Sequence, residues 1–427
     1  LASGNNQVTI DALLKEYYDD GALVNETYVK NPLWARMVKT QAVANVTGRS
    51  FVHPIVVATS QGRNTLFTKA QTNGNGTGEV SYDFTVTRIN NYQVASVATE
   101  TVLSTMDDRG AFTKAVTLIT DNCLRNLGLD QAISMYGDGA GWRGNAGNST
   151  QQPSFATPTL VFAIADQALA FEVNMELVVA SSPTAAPRAL GSAGHGLYVG
   201  AVDRTNGTIS VVTTLGGSTP CNLNDATNGI PTIANGDYVF VINDQGNKIA
   251  GLQAWLPYGG PTSTPFYGVD RTVDPVRLAG NWLDASQLSV EDAFIQATVN
   301  VAKQGYDLTH FFVPYNKYAQ LLKSQSAKVS IIEEVNPDIS FEGLQVLTPS
   351  GNVIVMPDRN CPANRMFGLN IDTWDYIHLG DPVQMFNYDG NTWLRQNSSD
   401  GMEIRFFSLG NLVCRVPAAN IVIACQP

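Results

Sequence analysis

Apolar positions along this chain change their spacing several times, and each change marks an element. From Phe51 to Ala58 the chain is rich in Val and Ile. From Val80 to Val86 the residues Val80, Tyr82, Phe84 and Val86 alternate with polar ones, the period-two pattern of a half-exposed strand. Gln61 to Gly78, between them, is crowded with Gly, Asn and Thr. The pattern predicts two strands joined by a long polar loop, an extended hairpin that is marginal in water unless a neighbour covers it. Upstream, Ile10 to Tyr18 reads as a short helix with Leu13, Leu14 and Tyr17 on one face and Asp11 in its first turn, where the helix dipole favours an acid. Asn31-Pro32-Leu33-Trp34-Ala35-Arg36-Met37 mixes a turn signal with large apolar residues that must dock on something, as an N-terminal arm would.

Helical spacing dominates next. Phe112, Ala115, Val116, Ile119, Cys123, Leu127 and Ile133 predict a long helix, capped by Asp107 or Thr105, running to about Tyr136 despite Gly128. The glycine-rich stretch Gly137 to Asn145 stops it. From Pro158 to Pro257 the pattern predicts short strands at Leu160–Ala165, Met175–Ala180, Leu197–Val202, Thr208–Val212 and Tyr238–Ile242, with Asn206-Gly207 as a hairpin turn. These form an all-β unit of about 100 residues, a barrel or a sandwich, set between mixed segments. The remainder reads as α+β. Its helix runs from Val290 to Gln304, with Ser289 as N-cap, Asp292 near its start and Gly305 as its stop. Strands are expected at Phe311–Val313, Leu344–Leu347, Val353–Met356, Glu403–Phe407 and Asn420–Ala424.

Composition narrows the class. At 427 residues the chain is long enough for two or three packed units. Hydrophobic residues make up 44% and charged residues 15%, a balance of β-rich globular proteins and not of disordered ones. The net charge of -11, with no Lys/Arg cluster, argues against a surface that neutralises nucleic-acid phosphates. Cys123, Cys221, Cys361, Cys414 and Cys425 are widely spaced and never C-x-x-C, which predicts buried free thiols and neither a disulfide framework nor a zinc site. No stretch approaches the ~20 apolar residues of a membrane span, and no secretion signal is visible, so a soluble protein is expected. A start at Leu1 without Met is compatible with proteolytic trimming.

Motifs for chemistry are few. Gly139-Ala140-Gly141-Trp142-Arg143-Gly144 matches G-x-G-x-x-G, but it follows a helix where a dinucleotide site needs it to precede one, so no cofactor is expected. His53, His195, His310 and His378 lie too far apart for an H-E-x-x-H metal pair, and no G-x-S-x-G elbow or phosphate-binding loop is present. The carboxylate pairs Glu333-Glu334 and Asp107-Asp108 read as solvated faces or helix caps more readily than as an acid–base pair. No catalytic, cofactor-binding or metal residue is assigned, and the chain is not expected to be an enzyme.

The order of the pieces resembles the Hong Kong 97 family of tailed-phage capsid proteins: N-terminal arm, long hairpin or E-loop, long spine helix, then peripheral and axial domains. The resemblance covers most of the chain. Asn31-Pro32-Leu33-Trp34, Thr85 to Tyr92 leading to Thr99-Glu100, Met135 to Gly141, and Gly268 to Pro275 with Leu278-Ala279-Gly280 carry it. It implies an α+β capsid fold with an N-arm over 1–49, the E-loop hairpin over 50–98, and a peripheral domain with the spine helix over 99–157. An all-β insertion domain at 158–256, an axial domain at 257–388 and C-terminal strands at 389–427 returning to the peripheral domain would follow. It also implies a major capsid protein that self-assembles as pentamers and hexamers into an icosahedral head around double-stranded DNA, enclosed without sequence-specific binding. Scaffolding or decoration proteins are further implied partners, with assembly in the host cytoplasm and no membrane. Subunit contacts would come from Trp34, Arg63, Phe67, Lys69 and Tyr82. Some members join an E-loop Lys to a neighbour's Asn with help from a Glu. Lys69 is the Lys of this loop, but no Asn or Glu matches, so non-covalent burial is expected.

Two other readings compete. An encapsulin-like nanocompartment would share the shell fold around protein cargo, and the inserted β unit favours a virus over it. A secreted β-rich carbohydrate-binding protein or hydrolase is suggested by Asn, Thr and aromatics such as Trp142, Trp255, Trp374 and Trp393. The lack of a signal peptide and of disulfide pairing counts against it.

Overall fold

A computed structural model describes residues 31–41, 46–47, 50–98, 109–152, 154–191, 196–324, 344–387, 390, 394–395 and 401–426. The fold is α+β, as the sequence predicts. The 14-residue strand Gly401–Cys414 organises one sheet. Along one edge it pairs antiparallel with Ile89–Ala98, from Gly401 opposite Ala98 to Gly410 opposite Ile89. Its other edge takes Trp374–His378, Gln384–Met385 and Leu394–Arg395 in turn. Val38–Gln41 then adds in parallel to Trp374–His378. The long helix, Arg109–Tyr136, packs over Ile89–Ala98. Cys123, Leu127 and Met135 on its inner face are buried, as their spacing requires. The expected caps Thr105 and Asp107, the first helix at Ile10–Tyr18, Thr99-Glu100, His195, Glu333-Glu334 and Trp393 lie outside the described residues, as do the side chains of Phe112, Ala115, Val116 and Ile119.

A second six-stranded sheet runs in the order Asn281–Asp284, Ile421–Ala424, Arg365–Leu369, His310–Val313, Gly351–Pro357, Leu344–Thr348. The helix Val290–Ala302 packs over it, and the Phe294 and Phe311 rings stack with centroids 4.3 Å apart. Ser289 caps that helix as expected: its Oγ accepts the Asp292 N–H at 3.1 Å and donates to Asp292 Oδ2 at 2.7 Å. This sheet corrects the expected boundary at 388/389. Ile421–Ala424 does not return to the first sheet but lies inside the second, because all four of its residues are apolar and need cover on both faces. Trp374–His378, expected in the axial unit, belongs to the first sheet.

The inserted β unit is a barrel. Its strands follow the order Trp142–Asn145, Tyr238–Val241, Glu176–Ala180, Leu197–Asp203, Thr208–Val212, Thr159–Val161, and an Ala146–Phe162 bridge returns the last to the first. It therefore begins before the expected residue 158, because Trp-Arg-Gly-Asn has no alternation to mark a strand. Leu160–Ala165 is also shorter than expected, giving way to a 3-10 turn over Ala165–Ala170. The Asn206-Gly207 hairpin forms as predicted. Gly207 has φ +67°, and a Cβ there would lie 2.3 Å from Ala165 Cα, so only glycine fits.

Two buried asparagines lock the body. Asn411 Oδ1 accepts the N–H groups of Ala250 and Leu412 at 3.0 and 2.9 Å, while its Nδ2 donates to Thr87 O and Tyr267 Oη at 2.7 and 2.9 Å. Asn420 Oδ1 accepts the Trp374 indole N–H and the Asn370 N–H, and its Nδ2 donates to Thr373 Oγ1 and Val416 O. The segment near Gly268–Gly280 is likewise built for packing. Buried Arg271 donates to Ala254 O and Trp255 O, its guanidinium lies 4.1 Å from the Phe266 ring centroid, and burial lowers its pKa to about 10.

Candidate assembly interface

Ser50–Ala58 and Val80–Thr87 form the expected antiparallel hairpin, with a register shift between Val56 and Ala58. One face of its base is part of the main core. Phe51, Ile55, Val57, Phe84 and Val86 are buried, and the Phe84 ring sits 5.3 Å from that of Trp255. The Thr85 N–H donates to Tyr267 O at 3.1 Å, and Arg277 Nη1 donates to Val57 O. The other face carries Val52 and Val56, both exposed. Ser50–Ala58 is thus apolar on both sides but covered on one, while Val80–Thr87 is apolar on its core side only.

Beyond the base, the expected polar loop Gln61–Gly78 contains a helix, Phe67–Gly76. This corrects the sequence reading, and its residues explain why spacing could not reveal it. Phe-Thr-Lys-Ala-Gln-Thr-Asn-Gly-Asn-Gly has no apolar stripe, no side-chain cap and two glycines. The neck is closed instead by polar contacts: Thr77 Oγ1 accepts the Gln61 N–H at 3.0 Å, and Asn64 Oδ1 accepts that of Leu66 at 3.0 Å. None of the helix is buried.

The five expected contact residues separate into two groups. Arg63, Phe67 and Lys69 lie exposed on the tip, with Phe67 at 78%. Leu66 beside it, 63% exposed, was missed by sequence reading because a single Leu in a polar loop has no periodic partner. Tyr82 is half-buried and packs against the main core at the hairpin base. Trp34 is enclosed by its own chain at 2% exposure, its ring edge-on to Tyr376 at 4.7 Å and under Lys39 Nζ at 5.1 Å, so it has almost no surface left for a neighbour. Lys39 donates to Trp34 O and Met37 O, and burial lowers its pKa to about 8. The segment Asn31–Met37 thus docks within the chain.

Several other residues singled out for their chemistry have structural roles among the described residues. Gly139 and Gly141 have φ +83° and +87°, and a Cβ on Gly141 would fall 2.2 Å from Asp244 O, so the glycine run serves the junction between long helix and barrel. All five cysteines are free and buried, as expected. Asp358, buried beside Tyr136, accepts that residue's hydroxyl at 2.8 Å and the Asn360 N–H at 2.8 Å, and burial pushes its pKa up. Among the described residues no helix is long and apolar enough to cross a membrane, and no group of three or more His, Cys, Asp or Glu is placed to hold a metal ion.

No protein-family model matches the chain, and no curated protein does. Several solved structures are remotely similar to it. A cyanophage A-1(L) capsid asymmetric unit is 11% identical, covering 93% of this chain and 92% of that one, with a TM-score of 0.42. A structure from Mycobacterium phage Ogopogo is 9% identical, with the same coverage and the same TM-score. A virus-like particle from Pyrococcus furiosus is 8% identical over 96% of this chain and 99% of that one, with a TM-score of 0.37.

Proposed function

We propose that this chain is the major capsid protein of a tailed bacteriophage, a structural subunit that assembles as pentamers and hexamers into an icosahedral head around double-stranded DNA. The hairpin supports this reading most directly. Its base is anchored in the core, while its tip carries Leu66 and Phe67 out into solvent on a helix with no buried residue. A ten-residue helix is below the length at which helices are stable alone, roughly 12–15 residues, so this one needs a surface to lie against. A second copy of the chain supplies that surface, with Phe67 and Leu66 buried against it and Arg63 and Lys69 making charged contacts. Tyr82 and Trp34 act from inside by fixing the base and the N-terminal segment. Each copy gives and receives one such contact, so weak individual interfaces sum to a stable shell. The net charge of -11 suits a wall that contains DNA without holding its phosphates. The chain has a building role and catalyses nothing, its assembly occurs in the host cytoplasm, and scaffolding or decoration proteins are its auxiliary partners.

Negative-stain electron microscopy of the expressed chain, with its sedimentation profile, tests the reading. Closed shells, tubes, or rings of five or six are expected. Only small monomers across salt and protein concentration would overturn it.

A further inference from the structure

The barrel and the body have separate hydrophobic cores. The barrel's gathers Phe162, Leu177, Val199, Ile209 and Val239, and the body's largest gathers Trp34, Phe84, Met135, Trp255 and Trp374. Two chain segments join them, leaving after the long helix and returning after Tyr238–Val241. They run side by side, with the Gly246 N–H donating to Ala140 O at 2.8 Å. Gly139, Gly141 and Gly246 all have positive φ. Backbone of this kind leaves the angle between the two units loosely set unless side chains fix it.

The side chains at this junction are ionic. Asp130, on the long helix, receives Arg143 Nη2 at 2.5 Å and Lys248 Nζ at 2.7 Å. Asp244 pairs with the same two cations at 3.4 and 3.2 Å. Asn91, on the strand beneath the helix, donates to Asp130 Oδ2 at 2.6 Å. Arg143 Nη1 is anchored to Ala170 O at 3.1 Å, so the guanidinium is held by the barrel and offered to the helix. None of the four charged side chains is more than 17% exposed. Burial pushes the Asp130 carboxyl up, but Arg143 and Lys248 more than reverse this and leave it below the usual range. Asp244 is raised, chiefly by burial. Buried ion pairs rarely add stability beyond an apolar substitute, yet their short, directional contacts admit few geometries.

We propose that this cluster is a clasp that fixes the barrel in one orientation on the body, and that breaking it frees the barrel while both units stay folded. The inference stands whether or not the chain builds a shell. Hydrogen–deuterium exchange of the full chain tests it, comparing the parent with Asp130→Asn, Lys248→Met and Lys248→Arg. In Asp130→Asn and Lys248→Met, amides of residues 138–142 and 244–248 should exchange at least about tenfold faster, while the barrel strands Leu197–Asp203 and Thr208–Val212 keep parental rates. Lys248→Arg should retain slow exchange at the junction. Unchanged junction rates in both disrupting variants would overturn the proposal. So would equal acceleration in the barrel strands, since the cluster would then support the barrel's own fold and not its orientation.

Discussion

Asn411 uses its hydrogen-bonding capacity entirely within the protein, tying the long strand to the hairpin base at Thr87, to Tyr267, and to the chain leaving the barrel at Ala250. The strand expected over Glu403–Phe407 runs on through Gly410 and Asn411 to Cys414. Both residues suit their places for reasons that only packing reveals. A Cβ at 410 would lie 2.6 Å from the Tyr376 ring. Asn411→Ala leaves buried donors and acceptors without partners and should cost about 3 kcal/mol, read as a lower urea midpoint. His310 gives a pH prediction. The Thr309 hydroxyl donates to Leu369 O and accepts the Ile371 N–H, so His310 Nδ1 donates to it, and Nε2 is left to accept from Arg36 Nη1 at 3.1 Å. Burial, and then the Arg36 charge, lowers the pKa from 6.5 to about 4. The folded state therefore resists a proton that the unfolded state accepts. This contribution is intact above pH 6.5 and is lost as pH falls from 6.5 through about 4, amounting to about 3 kcal/mol at most. His310→Gln should flatten the stability profile across that window, measured by urea unfolding at a series of pH values.

Among the elements, those with a periodic apolar face were legible from sequence, and those held by other means were not. The long helix and Val290–Ala302 show their buried stripes plainly, and the barrel strands are punctuated by turn residues. Asn281–Asp284 is too short to show a period, while Trp374–His378 hides a buried Asp375 whose partners, Arg415 and Thr40, come from distant chain. The hairpin tip is the extreme case, with a helix that has neither an apolar stripe nor a side-chain cap. Arg63, Phe67 and Lys69, all exposed there, were singled out only through the family resemblance, which also drew in Trp34, a core residue. Phe67→Asp should leave the subunit's stability within about 0.5 kcal/mol, because the side chain touches little of its own chain. It should raise the protein concentration needed for assembly at least about tenfold, read by light scattering.

At the scale of the molecule, barrel and body divide the labour: the barrel closes on its own core, and the body is assembled around two hydrophobic clusters from segments spread along the described chain. Because Ala140 and Gly246 are hydrogen-bonded neighbours, the barrel should be removable. Joining Ala140 directly to Asn247 should leave a folded body whose thermal midpoint moves by no more than about 5 °C, followed by circular dichroism. Loss of cooperative unfolding would show that the barrel is needed for the body to fold. The body itself cannot be trimmed from its far end in the same way. Ile421–Ala424 fills the second position of a six-stranded sheet, between Asn281–Asp284 and Arg365–Leu369. During synthesis these residues leave the ribosome after every other strand of that sheet, so the sheet stays split and its edges stay open until they emerge. Under the proposed function, a copy from which they have yet to emerge lacks a finished body on which a neighbour's hairpin could settle, and the order of synthesis itself delays assembly.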